Sequence, residues 1–162
     1  MLSASEISSL KDFDSHDRNP VVSLYLNLDS STYPSRADYE TELSSLISKC
    51  RKTAAEELGL NRDQQGSLDS DLRSIGEYIS LQYRRNGARG LVIFACKAGG
   101  LWQVDPLKVP VANRLFVDWK PQVAPLVETL SSYEQVCVLV TSKETARIFQ
   151  VRAGEISEQS EI

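Results

Sequence analysis

A mixed α/β domain, with a central and partly antiparallel sheet and helices packed on it, is the fold class predicted by this sequence of 162 residues. Three observations carry the prediction. Leu91 to Cys96 is an unbroken apolar run bracketed by Arg89 and Lys97. Its β-branched and aromatic content suits a strand buried inside a sheet. Ala98-Gly99-Gly100 can then supply the positive φ of a tight reversal, and Leu101 to Leu107 returns as a second strand, weakened by Pro106. Two stripes of apolar residues at helical spacing, Tyr39 to Leu58 and Leu68 to Ile79, precede that hairpin.

The remaining elements follow in chain order. Ser3-Ala4-Ser5-Glu6 is a capping-box pattern, and Ile7, Leu10 and Phe13 continue a short helix to about Phe13. Val21 to Leu28 alternates, with Val22, Leu24, Leu26 and Leu28 on one side, which predicts a strand with one dry face. Asp29 to Thr32 is a turn. Ser35-Arg36-Ala37-Asp38 is a second capping box, and Gly59 closes the helix it opens. Leu60 to Gly66 reads as a polar connection. The next helix ends in Arg84-Arg85-Asn86-Gly87, where cations suit the negative pole of the helix macrodipole. Arg114 to Val117 is a further short strand. Pro121 and Pro125 predict a helix to about Ser132 that starts late or bends. Val136 to Thr141 and Ala146 to Val151 form a hairpin, after which an acidic tail lacks a partner element. That hairpin looks unfinished, because two strands alone cannot bury both faces, and the chain reads as the front part of a longer protein.

Several functional classes find no support. The three cysteines, Cys50, Cys96 and Cys137, lie in apolar patterns without paired spacing and read as buried structural thiols. The only histidine, His16, sits among Asp12, Asp14 and Asp17. A calcium loop there would need Gly where Asp17 stands and Glu where Ser23 stands, so a solvated loop is expected. Gly87-Ala88-Arg89-Gly90 lacks phosphate-loop spacing and precedes a strand rather than a helix. No stretch has the ~20 apolar residues of a membrane span. The expectations are a cytoplasmic chain, no cofactor and no metal.

Charge is uneven. Arg84 to Lys120 holds seven cations against two acids, a window of +5 in a chain of −4. A basic centre in an acidic protein suits docking on a phosphate backbone if the side chains converge.

Three pieces in this order resemble one family: VVSLYLNLD from Val21, the stretch from Arg89 to Leu130, and VCVLVTSKETARIFQVRAGEI from Val136. They are similar to the bacterial relatives of the archaeo-eukaryotic class I peptide-chain release factors, a group that includes the rescue factor Pelota. The resemblance implies an N-terminal α/β domain over residues 1–118, of the kind that docks in the ribosomal decoding region. It also implies that residues 119–162 are a connecting helix and the opening hairpin of a middle domain. Two departures stand out. The Asn-Ile-Lys-Ser stretch of release factors is replaced by GLNRDQQGSLDSD from Gly59, which speaks against stop-codon decoding. The Gly-Gly-Gln hydrolysis motif is absent, since Gly99-Gly100 is followed by Leu101.

The functional expectation is therefore a non-catalytic binding module of a translation-associated protein, of release- or rescue-factor type. Its implied partners are the ribosome and ribosomal or transfer RNA, with no membrane and no DNA. Arg84, Arg85, Arg89, Lys97 and Arg114 are the candidate RNA contacts, chosen on local charge excess. One alternative is a small hydrolase or nucleotide-binding enzyme. Against it stand the lone loop histidine and the lack of paired carboxylates or a nucleophile elbow. The other is a protein-interaction scaffold that no longer binds ribosomes.

Overall fold

The computed structural model describes residues 3–15, 18–133 and 135–161. They divide into two units, one reaching Val123 and one starting at Ala124. The first contains α1 (Ala4–Lys11), β1 (Val21–Asn27), α2 (Arg36–Glu57), α3 (Arg62–Glu77), β2 (Gly90–Cys96), β3 (Leu101–Leu107) and β4 (Arg114–Asp118). Its sheet has the order β3-β2-β1-β4, and every described pairing in it is antiparallel. The chain adopts the expected α/β class with helices packed on a central sheet, but that sheet, expected to be mixed and partly antiparallel, is antiparallel in every described pairing. His16 and Asp17, on which the calcium-loop question turned, lie outside the described residues.

Strand β2 is buried along its whole length, as its unbroken apolar run demands. Gly100, at φ 78°, takes the left-handed conformation that closes the reversal into β3. Pro106 is tolerated because β3 is an edge strand, where a missing N–H costs little. Strand β1 departs from expectation, since both of its faces are dry. Val21, Ser23 and Tyr25 are as inaccessible as Val22, Leu24 and Leu26.

Topology gives the reason. β3 and β4 occupy opposite edges, so the chain between them must cross β2 and β1. Val109 and Val111 are buried on the way, and a Cβ at Gly90 would stand 2.7 Å from the Val109 carbonyl oxygen. Only glycine leaves room for that crossing. After β4 the chain returns over the same face. The Gln122 N–H donates to Ser23 Oγ (2.9 Å) and Tyr25 donates its hydroxyl proton to the Gln122 carbonyl (2.6 Å). Both buried polar side chains are thereby satisfied. A period-two pattern alone could not foresee this second cover.

The opposite face carries the main core. Val22, Leu24, Leu26, Leu91, Ile93 and Ala95 meet Tyr39 and Leu43 of α2 and Leu68, Leu72 and Ile75 of α3. Capping boxes fix all three N-termini of α1, α2 and α3. The third, Asn61 with Gln64, corrects the polar connection expected over Leu60 to Gly66, because α3 already starts at Arg62. Its first turn carries no apolar residue, so periodicity missed it while the capping pattern was in view. After Glu77 the chain forms a π-helical turn, Tyr78–Gln82, instead of an α-helix running to Gly87. Arg36 donates to the carbonyls of Ile79 (2.7 Å) and Ser80 there, filling acceptors that a regular helix would have paired. Arg84 and Arg85 fall beyond this turn, so the macrodipole does not explain them.

The second unit contains α4 (Ala124–Ser131), β5 (Val136–Thr141), β6 (Ala146–Arg152) and β7 (Glu155–Glu161). Pro125 sits in the first turn of α4, which is the late start expected. The tail expected to be partnerless is β7, paired antiparallel with β6 through a reversal at Ala153 (φ 48°) and Gly154 (φ 78°). Backbone pairing, not an apolar pattern, places it there.

Cys50 and Cys96 are buried, whereas Cys137 on β5 is exposed, which corrects the reading of three buried thiols. Burial pushes the Cys50 thiol up to about 11 and raises that of Cys96. A polar maleimide is therefore expected to label Cys137 in the native protein within minutes, and Cys50 and Cys96 only on unfolding. Mass spectrometry of the labelled peptides reads the result. Native labelling of Cys96 would remove β2 from the centre of the sheet.

Candidate functional site

The five candidate cations do not form one patch. Arg89 and Lys97 flank β2 at its two ends, roughly 27 Å apart by the rise of an extended strand. Arg85, Arg89 and Arg114 belong to the Gly90 end; Lys97 belongs to the Cys96 end.

At the first end, Arg85 is half-buried and donates to three carbonyls: Leu28 (3.2 Å), Tyr33 (2.7 Å) and Pro34 (3.0 Å). Arg89 forms an ion pair with Asp29, donating from Nε (3.0 Å) and Nη2. The Ser31 backbone N–H, the Arg89 guanidinium and the Ser31 hydroxyl hold the Asp29 carboxyl down at about 2. Asn113 ties in the crossing segment, accepting from the Asn27 N–H (2.6 Å) and donating to the Tyr33 hydroxyl (2.6 Å). Arg85 and Arg89 thus clamp the turn after β1. Arg84 and Arg114 remain exposed, with Arg84 donating to the Tyr83 carbonyl (3.1 Å).

A cavity of about 470 Å³ opens at the other end of the sheet, lined by Asp14, Ser15, Arg18, Gly59, Gln64, Trp119 and Lys120. Three segments far apart in sequence build it. The loop before β1 is shaped by hydrogen bonds from Ser15 Oγ to the Asn19 carbonyl (2.9 Å) and from the Arg18 N–H to the Ser15 carbonyl (2.7 Å). The turn between α2 and α3 is joined to that loop where Gln64 Nε2 donates to the Arg18 carbonyl (3.1 Å). Trp119 and Lys120 arrive from the end of β4, where Asp118 pairs with Val21. The cavity therefore combines an aromatic ring, two cations, an amide and one carboxylate in a space of nucleotide size. Of the two cations only Lys120 fell within the basic window. The adjacent Trp119-Lys120 at a strand end was the available signal; Arg18 and Gln64 offered none.

Lys97 borders a second, smaller cavity. Its Nζ donates to Ser74 Oγ (2.7 Å) and stands 5.0 Å from the centroid of the Trp102 ring. Its backbone N–H donates to Asp71 Oδ1 (3.2 Å), a buried carboxyl group whose pKa is raised by burial. Among the described residues no group of three or more His, Cys, Asp and Glu side chains is placed to hold a metal ion. No described helix is long and apolar enough to cross a membrane.

The model of bacterial archaeo-eukaryotic release factor family 10 matches residues 121–162. No curated protein matches the chain. Among solved structures, one described as an archaeal protein is similar at a TM-score of 0.53 with 13% identity, over 98% of this chain and 43% of that one. The archaeal translation termination factor aRF1 is similar at a TM-score of 0.49 with 13% identity, over 99% of this chain and 44% of that one. The chain thus spans less than half the length of either structure. At 13% identity the first of these shows a shared fold alone.

Proposed function

We propose that this release-factor-like chain is a non-catalytic, RNA-docking module of a translation-associated protein, acting on the ribosome. The single observation that carries the reading is the cavity where Trp119 and Lys120 meet Arg18 and Gln64. An aromatic face beside cations is the arrangement that stacks an unpaired base while neutralising its phosphate. The family match over residues 121–162 supports the translational setting. In the same reading, residues 1–118 form the docking domain, Trp119 and Lys120 complete its cavity from the connecting segment, and residues 119–162 lead into a middle domain. The exposed Val136, Val138, Leu139 and Val140 of β5 favour that division, because such a strand needs a further layer to cover it. Among the sequence-derived arginines, Arg84 and Arg114 are exposed and free of the clamp, which leaves them open to phosphate contacts.

Co-sedimentation of the full-length protein with ribosomes over a range of salt tests the proposal. Association should weaken steeply as salt rises, because each neutralised phosphate releases condensed counterions. Replacing Arg18 and Lys120 by Gln should weaken binding and lower the salt slope by about 0.7–0.9 per cation removed. Unaltered binding and slope in that pair would place docking on another surface. Absence of any ribosome association would favour the interaction-scaffold reading.

A further inference from the structure

We propose that the cavity beside the π-helical turn is a second nucleotide subsite, taking one unpaired RNA base that bears an exocyclic amine, cytosine in preference to uracil. The inference rests on the RNA-docking reading and deepens it by naming what this second site selects. The cavity measures about 300 Å³ and is lined by Ser74, Glu77, Tyr78, Gln82, Lys97 and Trp102. That is the low end of the ligand-sized range, room for a base more than for a larger ligand.

Four of the six lining groups have a role in that recognition. Tyr78 meets Trp102 in a T-shaped contact, with ring centroids 5.9 Å apart at 82°, which helps hold the indole in place. Trp102 keeps 36% of its surface exposed, which leaves part of the indole open to a ligand. The π-helical turn places Tyr78 and Gln82 on one border of the cavity, a position such turns often take at functional sites. Lys97 is exposed, so its ammonium can leave the ring for a phosphate when a base arrives. Base stacking outweighs an exposed cation–π contact, which makes the exchange favourable. Glu77 is an exposed carboxylate that accepts hydrogen bonds and donates none. It suits the amine of cytosine, whereas the corresponding uracil position is a carbonyl that it repels.

The two cavities also share one end of the sheet. The turn that begins at Lys97 carries Gly99, where an added Cβ would lie 3.2 Å from Ser15 Cβ, and Ser15 lines the larger cavity.

Fluorescence anisotropy with labelled hexaribonucleotides of cytidine and of uridine, at low salt, provides the test. The cytidine oligomer is expected to bind at least about fivefold more tightly, and Trp102→Ala to weaken it by about tenfold. Glu77→Gln should abolish the preference, and Lys97→Gln should lower the salt slope by about 0.7. Glu77 and Lys97 are exposed, so those two variants stay informative even if Trp102→Ala fails to fold. Equal binding of both oligomers, or cytidine binding unchanged by all three substitutions, overturns the subsite. Ribosome association that depends on Arg18 and Lys120 while Trp102 has no effect would retain the docking function and reject this site alone. Oligomer binding through Trp102 without ribosome association would reject the ribosomal setting and keep the subsite.

Discussion

Phe94→Ala is expected to cost about 3–5 kcal/mol, the range for removing a fully buried aromatic ring from a core. Phe94 is at 0% exposure on a strand whose faces are both covered. Its ring meets Tyr25 edge-to-face at 6.2 Å and 89°, and Tyr25 repeats that contact with Phe116 at 6.2 Å and 84°. Truncation therefore opens a hole at one end of a three-ring row spanning β2, β1 and β4. The hole cannot close easily. Phe94 is registered against Ser23 on one side and Gln103 on the other, and the Gln122 segment bonded to Ser23 and Tyr25 holds the cover in place. Urea denaturation followed by circular dichroism reads the effect. A loss below ~1 kcal/mol would mean that the strand lies at the periphery of the fold.

How legible the fold was depends on how local its causes are. The apolar run of β2, the glycine reversal after it and the capping boxes at Ser3 and Ser35 are local, and each marks what the chain adopts there. The second dry face of β1 is not local. It arises because β3 and β4 end up at opposite edges, so that Val109 and Val111 cross over Gly90 and, after β4, Gln122 covers Ser23 and Tyr25. β7 was illegible for a different reason, since EISEQSE has almost nothing apolar and its order comes from backbone pairing with β6. The candidate site shows the same division. Net charge located a basic stretch, but strand direction separates Arg89 from Lys97, and hydrogen bonds withdraw Arg85 into the structure. Arg18, Gln64, Trp119 and Lys120 come together only through the loop before β1, the α2–α3 turn and the end of β4. No window along the chain contains them.

Arg85→Ala is expected to destabilise the first unit by roughly 2–3 kcal/mol, which separates a structural arginine from an RNA-binding one. Its guanidinium is the shared donor for the carbonyls of Leu28, Tyr33 and Pro34, and it stands 6.0 Å from the Tyr39 ring centroid. Those carbonyls belong to the turn that carries the chain from β1 into α2. Hydrogen bonds to a charged donor contribute about 1.5–3 kcal/mol each, but Arg85 is only half-buried and water will replace part of what is lost. Arg85→Lys should recover less than half of the loss, because a single ammonium cannot address three carbonyls that a planar fork spans. Arg114→Ala is the control: Arg114 is exposed at the start of β4, and its removal should change stability by less than about 0.5 kcal/mol. Denaturant melts of the three variants give the stabilities, and ribosome co-sedimentation of the folded fraction gives the binding. A destabilised Arg85→Ala protein with an unchanged salt slope fixes Arg85 as a clamp on the turn after β1. An undisturbed melt with a reduced slope would return it to the RNA-facing role that charge excess alone suggested.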